Sequence, residues 1–304
     1  MVQSLSDLFR QQARQLHRAL LRQRRLGGNV EFEEETITAV LLAKQRGLKA
    51  PFLHVERFNR HQERRNGADW EWVFEQAGRV WQVRVQAKKY VPNRTAFCSA
   101  DYRYKKLAKP PAGIDKRIRN QASNLIVHAT AAGADAVYVF YVADHRPRQI
   151  ADVATMRAGE QEADFGISVV PAEEIRWRVA ARQRWWKLLS LGQIGPLLVP
   201  WHRLFESLPS GALGAGVVSS PVTLAHIRRA FRMALHTPAA DNGGLVPSDE
   251  HSRDTPLPTR EEAMQRCPYL KVLWAGDDAD KTEILEDMPM KPSWPQALVH
   301  VRLD

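Results

Sequence analysis

The clearest periodicity in the chain lies between Gly67 and Tyr90, GADWEWVFEQAGRVWQVRVQAKKY. Apolar and polar positions alternate in both halves. Trp70, Trp72 and Phe74 stand against Asp69, Glu71 and Val73; Trp81, Val83, Val85 and Ala87 stand against Gln82, Arg84, Gln86 and Lys88. Period-two alternation rich in aromatic and β-branched residues predicts two strands, and Gln76-Ala77-Gly78-Arg79 supplies the turn between them. In the resulting hairpin Phe74 faces Trp81, Trp72 faces Val83 and Trp70 faces Val85. One face is therefore core, and a one-residue slip would turn the tryptophans onto the polar face. The same register sets Asp69 opposite Gln86, with Lys88 one diagonal step away, at Cβ separations of about 5 Å and about 7–8 Å. An acid, an amide and an ammonium group converge at the open end of the hairpin. Glu71 falls opposite Arg84, either as a cross-strand ion pair or as a further metal ligand.

Helical periodicity brackets this hairpin. Leu5, Leu8, Phe9, Leu16, Leu20 and Leu21 predict an N-terminal helix over 5–25, ended by Gly27-Gly28. Arg10, Arg14, Arg18, Arg22, Arg24 and Arg25 crowd its other side, as a solvated face, a phosphate-tracking one or a membrane-binding one. A second helix starts at Glu33-Glu34-Glu35, where acidic groups suit the positive end of the helix dipole. Its buried side is expected to carry Ile37, Val40, Leu41 and Lys44. A third helix is predicted over 114–132, with Ile114, Ile118, Leu125, Ala129 and Ala132 on its apolar stripe and Gln121 on the same stripe. A polar group there needs a partner. Residues 136–142, AVYVFYV, read as a buried strand reached by a crossover.

Beyond this core, 165–172 reads as a strand and 173–191 as a helix with Trp177, Trp185 and Trp186 as core anchors. A basic amphipathic helix follows at 222–236. The organisation expected is a basic helix over 1–28, an α/β core over 29–145, and a mainly helical extension of the same domain over 146–236. A Pro/Gly/Asp-rich flexible linker over 237–262 follows, then a C-terminal segment over 263–304, read as a hairpin added to the main sheet. The glycines of 211–216 lack the strand and carboxylate of a dinucleotide loop.

Composition narrows the partners. Across 304 residues the formal net charge is +10, which favours a polyanion, chiefly nucleic acid. The only cysteines, Cys98 and Cys267, are far apart, arguing against a disulfide scaffold and a zinc site. No apolar run approaches the roughly 20 residues that span a bilayer, and MVQSLSDLFRQQ has no secretory leader pattern, so a cytoplasmic location is expected. No serine or cysteine nucleophile setting and no P-loop string is present.

Asp69, a hairpin, then Gln86-Ala87-Lys88 resembles the PD-(D/E)XK motif of restriction-endonuclease-like nucleases. GADWEW followed by VQAKK is similar to a bacterial family of unknown function thought to belong to that superfamily. The match spans roughly residues 30–145. It implies an α/β fold with a restriction-endonuclease-like mixed sheet flanked by helices, carrying helical and C-terminal extensions. It also implies a Mg²⁺-dependent (alternatively Mn²⁺-dependent) nuclease acting on DNA, in bacterial defence against foreign DNA. By that resemblance Asp69 and Gln86 bind the metal and Lys88 orients or activates the attacking water. A glutamate of the first core helix joins them; helical phase favours Glu34, with Glu35 as the alternative. Gln121 sits beside the site, and Glu71 is a further metal candidate. The chain departs from the motif at Ala68, where the proline would stand, and at Gln86, which removes one negative charge from the metal site.

Three functions remain open on sequence: a metal-dependent deoxyribonuclease, a catalytically inactive nucleic-acid-binding module of the same fold, and a protein-interaction subunit. Duplex DNA is the expected partner, no membrane is expected, and self-association is left open.

Overall fold

The computed structural model describes residues 5–25, 33–47, 53–57, 67–92, 98–101, 121–143, 154, 156–181, 188–206, 224–236, 256–267, 270–274 and 297–302. The chain divides into two compact units. One comprises 1–41, 87–102 and 138–256; the other comprises 42–86, 103–137 and 257–304.

The second unit is built on the hairpin. Strand β2 (Trp70–Gln76) pairs antiparallel with β3 (Arg79–Lys89) in the expected register: Trp70 with Val85, Trp72 with Val83, Phe74 with Trp81. Gln76 pairs with Arg79, leaving Ala77 and Gly78 as the central residues, at φ of 49° and 71°. Positive φ at both positions is the type I′ geometry whose twist matches that of a hairpin. The apolar face is closed by stacked Phe74 and Trp81 rings with centroids 4.6 Å apart, and the Trp81 indole donates to Asp135.

The other hairpin face is also buried. Helix α3 (Gln121–Ala132) buries Ala122, Leu125, Ile126, Ala129 and Ala132. Val73 and Val80, on the polar side of the alternation, pack with Ala132, Ala263, Cys267 and Leu270. Gly67 lies against the start of α3: a Cβ there would sit 3.1 Å from both the Gln121 carbonyl oxygen and the Leu125 amide nitrogen.

The strand order in this unit is β1-β10-β2-β3-β6, with β1 at Leu53–Arg57, β6 at Asp135–Tyr141 and β10 at Ala297–Arg302. Strand β10 pairs antiparallel with β1 and parallel with β2. The fold is thus α/β with a five-stranded mixed sheet flanked by helices. Among the described residues the C-terminal segment forms no hairpin of its own. Residues 260–266 and 271–274 are helices, and the last strand is inserted between two others.

The first unit contains α1 (Leu5–Arg25), the start of α2 (Glu34–Gly47), and β7 (Ile167–Pro171) with β9 (Val199–Pro200) beside the continuation of β6. A small sheet of β4 (Val91–Pro92), β5 (Cys98–Asp101) and β8 (Leu188–Ser190) lies in the same unit. Helix α1 buries Leu8, Phe9, Ala13 and Leu20, with Phe9 against Trp201 and Phe205. A Cβ at Gly166 would lie 2.3 Å from the Ala13 carbonyl oxygen, so the chain there passes directly against α1.

Several expectations need correcting in this unit. In α2 the buried positions are Ile37, Leu41 and Leu42, whereas Val40 and Lys44 are exposed. The helix expected over 173–191 is α4 (Ala172–Ala181), and strand β8 occupies 188–190. Trp177 is no core anchor: it is 51% exposed, with the Arg178 guanidinium over its ring at 5.6 Å. The arginine stripe of α1 is divided. Arg14 binds Asp164 at 2.6 Å and Arg10 lies 3.6 Å from Glu206, while Arg18, Arg22 and Arg25 face solvent. Gly27-Gly28, Trp185, Trp186, residues 114–120, the 211–216 glycines and linker residues 237–255 lie outside the described residues.

Candidate active site

Asp69 enters the hairpin at its open end, fixed by its own amide, which donates to the Val85 carbonyl at 2.8 Å. That bond continues the β2–β3 ladder by one residue and aims the carboxylate at position 86. Gln86 Nε2 donates to Asp69 Oδ2 at 2.6 Å, and Gln121 Nε2 donates to Gln86 Oε1 at 2.9 Å. Carboxylate, amide and amide thus form a line, with Gln86 fully buried and Asp69 7% exposed. The helical phase that placed Gln121 on the core-facing stripe of α3 is what brings it to Gln86.

Glu71 stands two residues along the same face and is built into the scaffold. It is fully buried; Gln82 Nε2 donates to it at 2.5 Å and Arg84 Nε lies 3.6 Å away. Arg84 in turn donates to the His128 carbonyl at 2.6 Å, tying β3 to α3. Burial, and next the Arg84 charge, push the His128 imidazole below its usual range. Of the two readings of Glu71, the cross-strand ion pair is the one these contacts support.

In the first unit Lys88 Nζ lies 3.3 Å from Glu34 Oε1, and the Lys89 backbone N–H donates to Glu34 Oε2 at 2.7 Å. Glu34 is therefore the glutamate that meets the lysine strand, held by both carboxylate oxygens; Glu35 is exposed. Thr38, one turn later, shares a 2.8 Å hydrogen bond with the Tyr141 hydroxyl and anchors the helix. Gln86 and Lys88 are two residues apart on β3, and side chains at that spacing project from the same strand face.

One further cluster was not legible in sequence. Glu160, His202 and Glu206 bring one potential ligand atom each within 4.8 Å of one another. His202 is fully buried, with its Nε2 3.6 Å from both Glu160 and Glu206. The carboxylates are already matched by guanidinium groups. Arg203 grips Glu160 with two nitrogens, and the Arg157 backbone N–H donates to Glu160 Oε2 at 2.8 Å. Arg157 and Arg10 both approach Glu206. Burial alone would raise the Glu160 pKa, but His202, Arg203 and the Arg157 N–H outweigh it and hold the carboxyl well below its usual range. A divalent ion would enter against three cations, so this cluster is a charge network that ties 157–160 to 202–206. The spacing of His202 and Glu206 at i and i+4 was the available signal, but Glu160 lies too far along the chain for sequence to associate it.

Glu63, which on sequence either joins the site or pairs with Arg64 or Arg65, and Phe97, Tyr102 and Tyr104, which read as base-stacking or loop-packing aromatics, lie outside the described residues. Among the described residues, no helix is long and apolar enough to cross a membrane. A family of unknown function, DUF6615, has a model that matches residues 5–283. No curated protein matches the chain.

Proposed function

The chain belongs to the DUF6615 family, and within it we propose a divalent-cation-dependent nuclease that hydrolyses phosphodiester bonds of DNA. The observation that carries this reading is the meeting of Asp69, Gln86 and Gln121 at one end of a hairpin whose second strand places Lys88 two residues beyond Gln86. A carboxylate and an amide offer the hard oxygen donors that Mg²⁺ or Mn²⁺ takes, with several water positions left over. The donor set fits on one condition. Gln86 now turns its NH₂ group toward Asp69, and its oxygen must face a cation there.

The bound ion would supply Lewis-acid polarisation of the phosphate and a more acidic water. Asp69 anchors that centre, because its backbone is clamped to Val85 and its side chain is nearly enclosed. Lys88 brings a fixed positive charge to the same strand face, suited to stabilising charge that develops on a phosphate oxygen. Glu34 pairs with that ammonium at 3.3 Å and limits its rotamers. The formal charge of +10 favours approach to a polyanion.

The test is incubation of the full chain with linear and supercoiled duplex DNA in Mg²⁺, Mn²⁺ or EDTA. Cleavage in the metal-containing reactions and its loss in Asp69→Asn, with the urea unfolding midpoint kept, are expected. Cleavage that persists in Asp69→Asn rejects the assignment. A second reading is favoured by Gln86, which withholds the negative charge of the acid at the equivalent motif position: a binding module without catalysis. It predicts duplex binding without cutting in Mg²⁺, for wild type and Lys88→Ala alike.

A further inference from the structure

An ionised carboxylate only accepts hydrogen bonds, so it dictates which end of a neighbouring amide it meets. Asp69 therefore takes the NH₂ end of Gln86. The Gln86 oxygen is thereby turned the other way, onto the NH₂ end of Gln121. Gln86 is fully buried, and a buried polar group that loses its partner is left with an uncompensated desolvation cost. The orientation of one amide sets that of the other.

A cation beside Asp69 inverts this requirement, because a metal ligates the amide oxygen and never its NH₂. Turning Gln86 by half a rotation about its terminal bond sends its NH₂ toward Gln121. Gln121 must then present its own oxygen, so it turns as well. We propose that Gln86 and Gln121 form a two-state amide relay, set one way by the Asp69 carboxylate and the other way by a divalent cation at Asp69. Gln121 is then a positioning residue that acts on the cation through Gln86. A carboxylate at 86 would present oxygen on either side and would need no such partner; the neutral amide makes the donor reversible. This inference rests on the nuclease reading of the same site.

The relay is tested on the full chain by following the side-chain NH₂ resonances of Gln86 and Gln121 while Mg²⁺ is added, with Gln86→Met and Gln121→Met providing the assignments. Both amides are expected to shift with one shared midpoint. A second arm measures Mg²⁺ affinity by calorimetry in Gln121→Glu, which offers acceptors only and so holds the Gln86 oxygen toward the cation. Affinity should rise about tenfold, the worth of one well-made hydrogen bond. In a Gln86→Met background the same substitution contributes only its added charge, and the rise should be much smaller. An equal rise in both backgrounds, or a Gln121 amide that stays still while Mg²⁺ binds, overturns the relay alone. Absence of any Mg²⁺ binding by the wild type overturns the cation site, and the relay with it.

Discussion

Replacing Gly67 by alanine should cost about 2–5 kcal/mol of folding stability, from two separable sources. The first is conformational. Gly67 sits at φ +73°, in the left-handed region, where an L side chain costs roughly 1–2 kcal/mol. The second is steric. The new Cβ would meet the Gln121 carbonyl oxygen and the Leu125 amide nitrogen at 3.1 Å, and Asn124 Nδ2 at 3.3 Å. Two of these three atoms are helix backbone, which cannot move aside as a flexible side chain would. Overpacking of this kind costs about 1–3 kcal/mol. Gly78 is the internal reference: it has φ +71° but nothing within 4 Å of its would-be Cβ. Gly78→Ala therefore carries only the conformational cost, and the difference between the two variants isolates the contact. The assay is urea unfolding followed by tryptophan fluorescence, comparing midpoints at constant slope. Relief of the clash would push α3 from the hairpin entrance and lengthen the Gln121–Gln86 bond, so Gly67→Ala should also weaken divalent-cation binding where Gly78→Ala does not. Equal losses of stability for the two variants would refute the claim that Gly67 is set by its contact with α3.

Glu71→Ala should destabilise by about 3–5 kcal/mol, because it strands the buried Arg84 charge; Glu71→Met with Arg84→Met should recover most of that loss in the same urea assay. Burial alone would raise the Asp164 carboxyl, but the Arg14 fork and the Gln161 N–H outweigh it and hold the group below its usual range. Its contribution to stability is therefore full above the unfolded value of 3.8 and is lost as pH falls through the lower folded value. Glu160 adds a loss of the same sign below 4.5. Urea midpoints measured between pH 6 and pH 2 should fall, and Arg14→Met should flatten the part due to Asp164. For DNA binding, replacing Arg18, Arg22 and Arg25 together by glutamine should leave α1 folded and reduce the salt slope of log affinity by about 2.7, if each neutralises one phosphate; an unchanged slope excludes that face from the interface.

Where structure follows from neighbours along the chain, the sequence sufficed. Alternation of large apolar and polar residues specified the β2–β3 register to the residue, because a one-residue slip turns the tryptophans of 70, 72 and 81 onto the polar face. That register alone brought Asp69 to Gln86, and helical phase alone put Gln121 and Glu34 on the sides of their helices that meet β3. Tertiary structure decided what depends on partners distant in sequence. The alternation marks Glu71, Gln82 and Arg84 as a polar face, and only the packing of α3 and residues 260–270 over it makes that face a second interior. Strand β10 enters between β1 and β2 because those strands leave backbone groups to be paired, and a six-residue strand carries no sign of which edge it will complete. Arg10 and Arg14 look like Arg18 and Arg22 in a helical wheel; only folding sets Glu206 and Asp164 beside the first pair. Local periodicity determines which face a side chain takes, but what stands opposite that face is a long-range packing outcome that no short window of residues contains.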